Sequence, residues 1–340
     1  MSRRSLTLFI AAAGAAAALA VSALIPVPYV ILSPGPTLNT LGTDSSGQPL
    51  ITISGHPSYP TTGHLNMVTV SYEGGPGDNL NIFAALAAWL NSQDAVVPET
   101  ELFAPNQSQQ QTQQQDTQEM TGSQQTATAA ALAELRIPYQ VVVVQAQPVF
   151  PAYHVLRAGD VITAVDGTPV ISQAQLGQMI NAHPAGTILA LTILRNGKTE
   201  HVRVGTKEAN GTLLIGVEIT LRFPFTVKIS VGDIGGPSAG LMFALGIIDK
   251  LTTLDLTGGK FIAGTGEITS TGQVQPIGGI QQKMVGARDA GATIFLTPAA
   301  NCPDTKGAVP AGLRLVKVNT LAQAVSYLEA IKAGQPVPSC

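Results

Sequence analysis

The sequence predicts an α+β protein, with an N-terminal membrane-crossing helix ahead of two regions that mix strands and helices. Three observations lead there. Residues 6–25 form a run of twenty without a charge, and at ~1.5 Å per residue such a helix spans the ~30 Å of a bilayer core. Beyond it, short period-2 runs are interleaved with 3.6-periodic stretches, the pattern of mixed sheets and helices. Finally, a glycine-rich bend at 232–240 opens directly into an apolar-periodic helix. The 340 residues leave room for about two folded domains after the first segment.

Arg3 and Arg4 precede the apolar run, and Pro26 and Pro28 end it. The arginines stay on the cytoplasmic side, so the remainder faces outward. Nine of the twenty apolar-run residues are Ala, and Val21-Ser22-Ala23 has the small residues of a cleavage site; an uncleaved anchor and a removed signal both fit. With 18 basic against 21 acidic side chains and a net charge of -3, the chain lacks the clustered cations of a nucleic-acid groove. Cys302 and Cys340 are too few for a zinc cluster, and neither metal nor cofactor is expected. As the only two cysteines, lying outside the cytoplasm on this topology, they are expected to pair.

Within residues 31–135, Ser33-Pro34-Gly35-Pro36 reads as a rigid turn, and residues 50–54 and 64–72 as strands. A helix follows, capped by Asp78 or Asn79, with Leu80, Phe83, Ala84, Ala87 and Leu90 as its apolar stripe. Residues 106–126 are almost all Gln, Ser and Thr. Their composition fits a disordered linker. Met120, Ala127, Ala130, Ala131 and Leu135 fit a solvated helix equally well.

From 136 to 208 the order is strand, strand, helix, hairpin. Val141, Val142, Val143 and Val144 form a buried-type strand, Ser172 caps a helix with Leu176, Met179 and Ile180, and Asn196-Gly197 turns the hairpin. The run R-A-G-D-V-I-T-A-V-D-G at 157–167 resembles the G-D-x-I-x-x-V-[DN]-G segment of PDZ domains. That resemblance implies an extended peptide added to a sheet edge beside a helix. Val141 to Val144 would be that edge. Leu135-Arg136-Ile137-Pro138 stands where the family's carboxylate-binding glycine loop belongs, and a purely structural sheet is the alternative.

In the last third, Leu241, Ala244, Leu245 and Ile248 fall at i, i+3, i+4 and i+7, so Ser238 lies in the first turn of a helix. Backbone N–H groups there, from Gly236, Ser238 and Ala239, are candidate donors to an acyl-transfer oxyanion; Pro237 has none to offer. Simple capping explains the same residues. Of the five histidines none lies in this third, so a base must be sought elsewhere. Lys283 shares a stripe with Ile280, Met284 and Ala287. An inward Lys is desolvated and can serve as a neutral base, whereas a snorkelling Lys is the bland alternative.

G-G-P-S-A-G-L at 235–241 and T-G-E-I-T-S-T-G-Q-V-Q-P-I-G-G-I-Q-Q-K at 265–283 resemble the nucleophile and lysine motifs of the Lon proteolytic domain, the Ser-Lys S16 peptidases. The resemblance implies Ser238 as nucleophile, Lys283 as base and Thr265 as the hydroxyl that orients the lysine amine. Asp233 stands near an acidic site of some Lon-type enzymes, or is a solvated turn residue. No G-x-x-x-x-G-K-[ST] loop occurs, so ATP-driven unfolding is not expected. The order of segments resembles the membrane-anchored PDZ-Lon (YlbL-like) peptidases of bacteria: anchor 1–30, an N-terminal α/β region 31–135, a PDZ-like domain 136–208 and a Lon-type domain 209–335. The family resemblance implies an extracytoplasmic, ATP-independent endopeptidase acting on small exported or membrane-tethered proteins and peptides, and allows a homo-oligomeric ring. A peptide-binding scaffold with an inactive Lon-like domain is the rival reading.

Overall fold

The computed structural model describes residues 3–44 and 46–340; of the expected anchor, Met1 and Ser2 lie outside it. Helix α1 (Arg3–Leu24) is long and apolar enough to cross a membrane by length and composition. Strands β1 (Tyr29–Asn39), β2 (Ile51–Ser54) and β3 (His64–Glu73) follow, then α2 (Ile82–Leu90), β4 (Ala95–Pro98) and α3 (Gln109–Glu134). The expected turn at Ser33 to Pro36 is instead part of β1. A register shift between Pro34 and Thr37 accommodates the two prolines, since a bulge releases the ladder bonds that proline cannot make.

The polar Gln tract folds as helix α3. Ser108 and Gln111 close a capping box at its start, and the stripe Met120, Ser123, Ala127, Ala130 and Ala131 is buried. Helix α2 is capped by Asn81, whose side chain accepts from Phe83 N at 3.0 Å and Ala84 N at 2.9 Å, so Asp78 and Asn79 lie upstream of the cap. Its predicted inward stripe is rotated as well. Ala85 and Ala88 are buried, whereas Phe83 and Leu90 face outward.

The middle segment contains β5 (Gln140–Ala146), β6 (Val161–Val165), β7 (Thr168–Pro169), α4 (Gln173–Asn181), β8 (Ile188–Arg195), β9 (Lys198–Gly205), the hairpin β10 (Lys207–Ala209) and β11 (Thr212–Leu214), and β12 (Val217–Arg222). Its antiparallel sheet has the order β12-β5-β6-β8-β9. Asp160, from the Gly-Asp of the PDZ-like run, is 1% exposed and holds the Arg195 guanidinium through contacts of 2.6 and 2.8 Å. This ion pair fastens the bend before β6 to the end of β8. The sheet takes in β12, so its edge lies in the stretch expected to start the Lon-type domain at 209.

The remainder comprises β13 (Thr226–Ile229), α5 (Gly240–Leu251), β14 (Phe261–Gly264), β15 (Glu267–Ile268), β16 (Val274–Gln275), α6 (Ile280–Asp289), β17 (Ile294–Pro298), β18 (Arg314–Val318) and α7 (Leu321–Lys332). It shares a six-stranded sheet, β18-β17-β14-β3-β1-β4, with the N-terminal strands, and β13 pairs with β2. Residues 31–135 and the segment from 223 onward therefore share one sheet, and the PDZ-like sheet is inserted between its halves. Alternate residues separate the two faces of the larger sheet. Ile262, Ile294 and Leu296 pack with α5, while Ala263 and Phe295 pack with α6.

Candidate active site

The two faces of this sheet bring α5 and α6 to the carboxyl end of β14, where the chain continues into Thr265. Helix α5 is buried along Leu241, Met242, Phe243, Ala244 and Leu245, so its N-terminus is held rigidly by packing. Its first residue is Gly240 and its cap Ala239, leaving Ser238 one residue before the cap rather than in the first turn. Helix α6 starts after Gly279, which has φ +65°. A Cβ there would also lie 2.6 Å from Val70, so both conformation and close approach require glycine.

Lys283 and Ser238 meet across this junction. Lys283 Nζ lies 2.8 Å from Ser238 Oγ and 3.4 Å from Thr265 Oγ1. Thr265 Oγ1 in turn donates to the Ser238 carbonyl at 3.0 Å, and Gly266 N–H donates to the same oxygen at 2.8 Å. The nucleophile loop is therefore stitched to the end of β14. Lys283 is 4% and Thr265 1% exposed, and burial brings the lysine pKa down from 10.5 to about 8. Ser238 is half-buried and opens on a cleft of about 460 Å³ lined by Met67, Val70, Gly278 and Lys283. Asp233 is exposed at the rim of that cleft.

The three expected oxyanion donors divide. Ser238 and Ala239 N–H donate to no acceptor among the described residues. The Gly236 N–H, by contrast, donates to the Asp116 carbonyl of α3 at 3.2 Å and is engaged. Helix α3 supplies a second tie, Ser123 Oγ donating to the Pro237 carbonyl at 2.9 Å. Sequence reasoning did not single out Ser123 or Asp116. A signal for Ser123 existed, because it falls three residues after Met120 and four before Ala127, inside the buried stripe.

The expected peptide-binding edge also moves. Strand β5 is paired with β6 on one side and β12 on the other, so neither of its edges is open; Val141, Val142 and Val143 are 0, 5 and 1% exposed, and Val144 is 41% exposed. Strand β12 is the outer strand. A groove of about 520 Å³ runs between β12 and α4, lined by Gln173, Leu176, Ile180, Leu214 and Val217, with Ser270 and Thr271 of the β15–β16 turn at one side. Gly216 enters β12 at φ +82°, where a Cβ would come within 1.8 Å of Phe150. A glycine-bearing loop thus stands beside the groove, on the C-terminal side of the PDZ-like sheet rather than at 135–138. Cys302 and Cys340 are joined in a disulfide with Cα atoms 5.2 Å apart.

The family model of the Lon protease (S16) C-terminal proteolytic domain matches residues 227–330, and a PDZ domain model matches 110–206. A Lon protease of Roseiflexus castenholzii is 46% identical over 71 residues, which cover 21% of this chain and 9% of that protein. The Lon protease of Heliobacterium modesticaldum is 38% identical over 109 residues, 30% of this chain and 13% of that one. The chain thus spans about a tenth of the length of the curated relatives it matches. The solved PDZ domain of the SdrC-like protein from Listeria monocytogenes is 27% identical, covers 23% of this chain and 85% of its own, and has a TM-score of 0.22. The chain joins a Lon-type proteolytic domain to a PDZ domain, a combination consistent with the PDZ-Lon peptidases.

Proposed function

We propose that this chain is an ATP-independent, membrane-anchored Ser-Lys endopeptidase whose catalytic domain lies outside the cytoplasm and cleaves small exported or membrane-tethered proteins or peptides. The observation that carries the reading is the 2.8 Å approach of Lys283 Nζ to Ser238 Oγ in a site where the amine is 4% exposed. Desolvation makes the neutral amine accessible near neutral pH, and a neutral amine accepts the hydroxyl proton.

In this mechanism Ser238 Oγ attacks the scissile carbonyl as its proton passes to Lys283. The free N–H groups of Ser238 and Ala239 stabilise the oxyanion, and Lys283 returns the proton to the leaving amine. Water then hydrolyses the acyl-enzyme with Lys283 again as base. Thr265 keeps the amine and the nucleophile loop in register. Substrate polypeptide adds to the outer edge of β12 within the groove beside α4. Because Ser270 and Thr271 flank that groove, an occupant would touch the hairpin that follows Thr265.

A serine-directed acylating probe tests the reading. Labelling of the full chain should disappear in Ser238→Ala. Equal labelling of the variant, or none in the parent, favours the scaffold reading.

A further inference from the structure

We propose that the outward face of α2 is a membrane-docking surface that seats in the lipid interface beside the point where α1 leaves the bilayer. The helix sequence, IFAALAAWL, contains no polar side chain. Ala85 and Ala88 are buried in a small cluster with Ile31 and Leu80, yet Phe83, Leu86, Trp89 and Leu90 on the other side are 41, 48, 73 and 79% exposed. A helix apolar all round belongs where apolar material lies on both of its sides, and a contiguous exposed apolar patch marks an interaction surface.

The connection to α1 selects lipid as the occupant. Val27 N–H donates to the Leu80 carbonyl at 2.8 Å, and Pro26 forms a β-bridge with Asn81, the cap of α2. The end of α1 and the start of α2 are thereby tied together, so a bilayer that takes α1 has α2 at its surface. Ile25 and Tyr29, 56 and 41% exposed, extend the patch at the junction. Trp and Tyr rings suit this depth, where an apolar body meets the polar headgroups. Arg4 and Arg136 enclose a stretch with no Lys or Arg, and Asp94, Glu99 and Glu101 follow α2. The contact is therefore apolar and needs no anionic lipid. It also sets the height of the catalytic cleft: Gln282, beside Lys283, donates to the Gln93 carbonyl just past α2 at 3.4 Å.

This inference rests on α1 spanning the bilayer, as proposed above, and the test separates the two. Trp89 is the single tryptophan of the chain. The full chain is reconstituted into phosphatidylcholine nanodiscs, and into nanodiscs whose phosphatidylcholine is brominated near the headgroup end of the acyl chains. Resistance to alkaline extraction from phosphatidylcholine vesicles reports α1 independently. The expected result is resistance to extraction, with Trp89 emission blue-shifted and at least halved by the brominated lipid. Leu86→Ser with Leu90→Ser, both exposed, should weaken the quenching several-fold while α1 keeps the chain in the bilayer. Extraction resistance with unquenched Trp89 overturns the docking surface and leaves the anchor standing. A blue-shifted but unquenched Trp89 that cross-links between protomers assigns the face to a second copy, which also overturns it. Loss of the chain on alkaline extraction overturns both.

Discussion

Replacing Lys283 by methionine should make the protein more stable near neutral pH while abolishing catalysis. Methionine keeps the length and apolar stem of the side chain and removes the amine. In the folded chain that amine has a pKa of about 8, against 10.5 for an ordinary lysine. The unfolded chain therefore holds more protons between those two pH values, and wild-type stability rises with pH across the window. Below about 8 the buried ammonium carries its full desolvation penalty. At 1.36 kcal/mol for each factor of ten in proton affinity, the gap from 10.5 to about 8 corresponds to roughly 3 kcal/mol. Lys283→Met should gain up to that amount at pH 6.5, less whatever the lost contact with Ser238 Oγ contributes. The gain should shrink towards pH 10.5. Denaturant unfolding of the full chain in detergent, compared at pH 6.5 and 9.5, measures it. A variant less stable than wild type at pH 6.5, or a difference that does not vary with pH, would refute the desolvation argument on which the general base depends.

Three further outcomes are expected. Lys283→Arg should be as inactive as Lys283→Met, since a guanidinium stays protonated, and wild-type kcat/KM should rise about tenfold per pH step before levelling above about 8; a flat profile would exclude the lysine as base. Asp160→Ala removes the buried partner of the Arg195 guanidinium, 14% exposed, but leaves its pair with Glu200 at 2.8 Å, so the PDZ-like sheet should lose about 1.5–3 kcal/mol in thermal or denaturant unfolding. Opening the Cys302–Cys340 bridge, which closes a 38-residue separation, should cost about 4 kcal/mol by the chain-entropy estimate, measured as reduced against oxidised protein.

Several features of this protein were determined by local sequence alone. The Gly-Pro-Ser bend before an apolar-periodic helix, and a lysine within the stripe Ile280, Met284 and Ala287, are readable because helix periodicity and turn chemistry act over a few residues. The same holds for Asn196-Gly197, where positive φ at both residues suits the short hairpin. The inner stripe of α3 was visible as well, but composition argued equally for a linker. Burial against α5 settles that ambiguity, since an Ala-rich face gains its stability from packing and little from propensity.

Other features were decided only by the tertiary structure, for a common physical reason. Hydrogen-bond satisfaction and strand pairing depend on partners far away in sequence. Val141 to Val144 carry the signature of a strand whether β12 pairs beside them or not, and only the assembled sheet places the open edge at β12 and the glycine at 216. The Gly236 N–H reads as a free donor until α3 presents the Asp116 carbonyl from 120 residues upstream. The stripe of α2 could face either way, because an all-apolar helix gives periodicity nothing to distinguish. Its orientation was decided by Ala85 and Ala88, small enough to pack closely, leaving Phe83, Leu86, Trp89 and Leu90 outside.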